Sequence, residues 1–149
     1  MHGTKIGNHV AKFEPPDLLH LSLRGDLSVE DVQGISAFVR ANRAKGSHLV
    51  LLADLAELGN VAPEARKVVA HEKTMPLYRG MAMYNATFRT RVLMKLVLGA
   101  TRLLSDVRTP IRFFQTEAEA RHWSNSRRND IATYRAQRSP ASQEYLTIQ

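Results

Sequence analysis

Cysteine is absent from this 149-residue chain. That excludes disulfides, a thiolate nucleophile and cysteine-ligated metal, and it suits a reducing compartment such as the cytoplasm. Aromatic residues are few, with a single tryptophan, so no stacking platform for single-stranded nucleic acid is apparent. Long apolar runs are missing as well. The most apolar stretch, 92–104, is broken by Lys95 and Arg102 and is too short and too charged to span a bilayer. The opening residues, Met1 to Lys5, have no apolar core behind them, so neither a secretory signal nor an anchor is expected. Acidic residues are scarce in one region. Between Arg79 and Arg112 there are seven basic residues against a single acid, Asp106, in a chain whose net charge is +7. Such a region suits an anionic surface, an acidic partner or plain solvent.

The recognisable catalytic and metal motifs are also missing. The six histidines are scattered without paired spacing, so neither a metal nor a cofactor is expected. Gly80 and Gly99 are isolated, and neither a phosphate-cradling loop nor a Gly-x-Ser-x-Gly elbow occurs. The chain therefore reads as a binding module and not as an enzyme.

What is present is a regular alternation of strand and helix patterns. Ile6 to Phe13 reads as a strand, and Pro15-Pro16-Asp17 as a turn. Leu19, Leu21 and Leu23 at period two form a second strand, which completes a hairpin with the first. Ser28 caps a helix over about Val29–Ala44, stopped by Gly46. Leu49 to Ala53 is apolar on both faces, as a central strand covered on two sides would be, and it ends in Asp54. A loop from Leu55 to Ala62 leads to a second helix opened by Pro63 and Glu64. Arg79–Tyr84 is the next strand. Thr87 caps a long third helix over about Phe88–Asp106, Ile111–Phe114 is a last strand, and Thr116 with Glu119 opens a short fourth helix through Trp123. The order predicts an α/β domain with a mixed, mainly parallel sheet of about five strands and about four helices, spanning 1–124. Residues 125–149 read as a basic, mostly irregular tail.

Three words in this order carry a resemblance. They are Leu23-Arg24-Gly25-Asp26-Leu27-Ser28 entering the first helix, Leu49 to Asp54 on the central strand, and Pro110-Ile111-Arg112-Phe113-Phe114 followed by 116–123 with its closing tryptophan. Together they resemble the STAS/SpoIIAA-like family and its STAS/SEC14-like branch. The resemblance implies a regulatory module akin to the anti-sigma-factor antagonists, which bind a partner kinase and are switched by phosphorylation of a serine after the central strand. At the matching place this chain has Val61-Ala62-Pro63-Glu64-Ala65, with no hydroxyl residue between Ala53 and Lys73. The phosphoserine switch therefore does not carry over.

Two candidate surfaces follow. Sites in open α/β sheets lie beyond the carboxyl ends of strands, which selects Asp54, Pro63, Glu64 and Arg66. In the third helix, Val92, Leu93, Leu96, Val97, Ala100, Leu103 and Leu104 read as core. Arg91, Lys95 and Arg102 then share an outer stripe with Leu98, a candidate basic face. A protein partner or homodimer is the leading expectation. An apolar or lipid ligand, held between the third helix and the sheet by residues such as Met81, Met83 and Leu96, is the alternative the SEC14-like side implies. A peripheral anionic surface, such as a membrane, is a third reading, and nucleic acid is disfavoured.

Overall fold

A computed structural model describes residues 3–104 and 109–137, without the side chains of 100–104 and 133–137. Six strands form one sheet in sequential order: β1 (Thr4–Ile6), β2 (His9–Glu14), β3 (Leu18–Leu27), β4 (Leu49–Val61), β5 (Tyr78–Tyr84) and β6 (Ile111–Phe114). The first three pair antiparallel, and β3 to β6 run parallel. The mixed, mainly parallel α/β architecture is as the element order predicts. The expected first strand divides in two because Gly7, at φ +62°, turns the chain between Ile6 and His9.

The helices are α1 (Val29–Asn42), α2 (Pro63–His71), α3 (Phe88–Leu104) and α4 (Glu117–Gln137). Right-handed crossovers between strands laid down in one direction place every connecting helix on the same face. Accordingly α1, α2 and α3 cover one face, over Leu19, Leu21, Leu49, Ala53, Met81 and Met83. The chain then returns across the other face as α4, over Leu18, Val50, Leu52, Ala82 and Tyr84. β4 lies between β3 and β5 and supplies residues to both cores, which explains why Leu49 to Ala53 is apolar throughout.

Local chemistry fixes the element ends. Ser28 and Asp31 form a reciprocal capping box at the start of α1. The Thr87 hydroxyl accepts from the Thr90 amide, and the Thr116 hydroxyl from the Glu119 amide. Among the described residues, no helix is long and apolar enough to cross a membrane.

Three expectations need correction. The segment 55–61, read as a loop, is the far half of β4. It pairs with β3 alone through two register shifts, while Val61 is buried and Leu58 packs against the core. Residues 125–137, read as tail, continue α4. Its contact stripe is Ala120, Ser124, Arg127 and Ile131, at helical spacing but chemically mixed, so no apolar period marks it. Arg127 donates twice to the Arg79 carbonyl (3.1 and 2.6 Å), and Arg128 pairs with Asp17 at 2.7 Å. The rest of the expected tail, 138–149, lies outside the described residues. Finally, α3 is rotated from the expected phase. Val92 and Leu96, read as core, are 43% and 62% exposed, and Leu98, read as outer, is 5% exposed. Apolar residues fill 92–94 and 96–98, so the pattern alone does not fix which side faces in.

Candidate functional site

The sheet face under α1, α2 and α3 is incompletely filled. A cavity of about 110 Å³ lies there, walled by Leu21, Leu23 and Leu27 of β3, Val32 and Ile35 of α1, Met81 and Met83 of β5, and Met94, Val97 and Leu98 of α3. Native cores hold few voids larger than a water molecule. This one approaches the roughly 150 Å³ apolar cavity that takes up benzene. Of the chain's five methionines, four (Met75, Met81, Met83 and Met94) line it. Unbranched, polarisable thioether side chains adapt to variable occupants more readily than branched ones.

Four polar residues reach this wall: Ser36, Glu72, Thr74 and Tyr78. Burial, reinforced by the neighbouring Glu72 carboxylate, pushes the Tyr78 phenol far above its ordinary range, so it stays protonated. Glu72 also faces outward, pairing with the exposed Arg40 of α1 at 3.5 Å. The lining is thus an apolar chamber with a few polar groups, the usual make-up of a small-molecule site.

The opposite face is closed at its centre, and an open cleft lined by Arg112, Phe114, His122 and Trp123 runs along its β6 edge. Gly80 lets the Trp123 ring lie close to β5, since a Cβ there would sit 3.2 Å from the indole. Trp123 in turn packs against Phe114 with ring centroids 6.0 Å apart. Nearby, the His20 ring and the Tyr84 hydroxyl share a 2.8 Å hydrogen bond, and Arg121 of α4 donates to both Glu14 oxygens at 3.0 and 2.9 Å. Burial lowers the affinity of His20 for a proton. Glu117, 3.8 Å away, works in the opposite sense without prevailing, and Arg121 and Lys12 add to the lowering. Tyr84 is held protonated by burial and then by Glu117 and Asp54.

The residues selected from sequence are dispersed. Asp54 occupies the last register position shared by β4 and β5, on the α4 side. Its Oδ1 accepts from the Ala56 amide at 3.0 Å and from the Asn85 side chain at 3.4 Å. Pro63, Glu64 and Arg66 are exposed in the first turn of α2, where Arg66 Nε donates to the Val61 carbonyl. The far half of β4 separates them from Asp54. Arg91 and Lys95 both lie over the Phe113 ring, at 5.8 Å. Leu98 turns inward to the chamber, and Arg102 belongs to α3 with its side chain outside the described ones. Among the described residues, no cluster of histidine and carboxylates is arranged to hold a metal ion.

No family model matches the chain, and no curated protein matches it. Among solved structures it is similar to an uncharacterised protein of the DUF3478 family with a SpoIIAA-like fold, from Shewanella loihica PV-4. The identity is 21%, with 83% of this chain and 95% of that chain covered and a TM-score of 0.52. The fold is SpoIIAA-like. Of the residues the SEC14-like resemblance suggests for an apolar ligand, Met81 and Met83 line the chamber, and Leu96, 62% exposed, does not. Sequence reasoning missed Leu21, Val32, Val97 and Tyr78, because an unfilled core carries the same apolar pattern as a filled one.

Proposed function

We propose that this SpoIIAA-like domain is a non-catalytic binding module whose site is the chamber beneath α1, α2 and α3. The observation that carries the reading is the unfilled, methionine-walled volume of about 110 Å³. Its size suits a single ring or a short alkyl segment. The polar groups refine the choice. Glu72 accepts hydrogen bonds and repels a second carboxylate, while Tyr78 keeps its proton. An alcohol or amine head therefore suits the chamber better than an acid. Isothermal titration with matched pairs such as hexanol and hexanoate tests this: the alcohol binds the tighter, and equal affinities count against the role given to Glu72.

A protein partner at the start of α2 is the second reading, favoured by the exposure of Pro63, Glu64 and Arg66 together. A Glu64→Lys variant that captures the same proteins as the wild-type chain contradicts it. Neither reading involves phosphorylation at the start of α2, where Ala62, Pro63 and Glu64 offer no hydroxyl.

A further inference from the structure

The outer face of α3 has a composition that solvent alone does not explain. Phe88, Val92 and Leu96 are exposed at successive four-residue steps, so they form one stripe along the helix, with Phe88 82% exposed. Gly99 continues the stripe, and a Cβ built there meets nothing within 4 Å. Helical spacing places Arg89 on one flank and Lys95 on the other, both exposed. From Phe88 to Leu104 the helix carries four basic residues and no acid. Beside it, the groove between α3 and the edge strand β6 is lined by Lys95, Gly99, Ile111, Arg112 and Phe113, again apolar and basic.

An apolar stripe bordered by cations is what a helix needs to lie in a bilayer interface. The apolar side chains enter the acyl boundary, and the cationic heads stay with the phosphates. We propose that this face of α3 docks on an anionic lipid bilayer. Charge selects this occupant over a second copy of the chain, since a two-fold contact through α3 sets Arg89 and Lys95 against the same cations of the mate. Anionic lipid instead contributes favourably for each cation near its surface. The proposal stands on the exposed stripe and does not depend on the chamber, although Met94, Val97 and Leu98 on the inner side of the same helix wall that chamber. A helix held at the lipid surface is thus also one wall of the binding site.

Co-sedimentation of the full chain with vesicles of phosphatidylcholine, with and without phosphatidylglycerol, tests the docking. Binding is expected with the anionic vesicles at low salt and should weaken as salt rises. The pair Phe88→Ser and Leu96→Ser should bind about tenfold more weakly or worse. Both positions are exposed, so the thermal midpoint serves as the control for folding. The cysteine-free chain allows a second reading. A polarity-sensitive dye on Val92→Cys should shift to the blue on anionic vesicles, and one on Gln33→Cys of α1 should not. Failure to bind anionic vesicles at low salt, or equal binding by the serine pair, overturns the proposal. So does a matching dye response at both positions.

Discussion

The two faces of the sheet are closed by different means. The α4 face has a small, tightly fitted centre, with Leu18, Val50, Leu52 and Ala82 fully buried, a glycine admitting the Trp123 ring, and arginines tying α4 to the strand ends; its open cleft lies at the β6 edge. The other face is larger, is covered by three helices, and leaves a chamber among methionines. Close packing on one side gives a rigid base, and looser packing on the other leaves volume for an occupant. The same central strand, β4, serves both.

The contrast is sharpest in a matched pair of truncations. Leu52→Ala, on the α4 face, should cost about 2–5 kcal/mol of stability. Leu98→Ala, at the chamber wall, should cost clearly less, because that side chain already lacks neighbours on one side and has fewer contacts to lose. Urea denaturation measures both, and equal costs would erase the distinction between the faces.

The reverse change acts on the chamber alone. Enlarging Val97 to isoleucine should raise stability by about 0.5–2 kcal/mol by filling space, while weakening uptake of any ligand. A destabilised Val97→Ile variant implies that the volume is not available to a side chain.

Acid should distinguish the faces as well. On the α4 side, the folded protein binds a proton at His20 less readily than the unfolded chain does. The unfolded state therefore takes up the proton first as pH falls through the ordinary histidine value of 6.5, and stability declines from there downward. His20→Gln should flatten that slope. On the other side, burial works against ionisation of Asp31 but is outweighed by the Ser28 amide and hydroxyl and by His9, so its carboxyl titrates below 3.8. Its contribution is present above that value and is lost as pH falls through the lower folded one. Asp31→Asn should remove this second, more acidic step, which thermal melts across the pH range will reveal.

The smallest effect is expected at Arg40. Its pair with Glu72 is partly exposed, so Arg40→Ala should change stability by less than about 1 kcal/mol. Ligand exchange should change more than stability does, since Glu72 is part of the chamber wall; stopped-flow titration reads the rates.

Much of the fold was legible in the sequence because most strands show their burial directly; the far half of β4, exposed at Ala56, Glu57, Gly59 and Asn60, does not. Leu19, Leu21 and Leu23 alternate with the polar His20 and Ser22, whereas Leu49 to Ala53 are apolar on both faces, where β4 supplies both cores. Helix α3 was misread in phase because leucine, valine and methionine surround it, and only the packed sheet selects Met94, Val97 and Leu98 as inward. The length of α4 was hidden because its grip beyond Trp123 is made by Arg127 and Arg128, whose contacts are to backbone carbonyls and a distant aspartate. The void itself does not show in the sequence, since it is defined by what is missing between residues far apart in the chain; a ligand site beside Met81 and Met83 is expected only from the SEC14-like side of the resemblance, and Leu96, named with them, faces out.

Methionine methyl NMR tests the chamber most directly, because Met75, Met81, Met83 and Met94 line it. On titration with benzene or hexanol, the account predicts saturable shifts of those four methyl signals, and weaker binding in Val97→Ile. Four signals that stay fixed up to the solubility limit of both probes would contradict it.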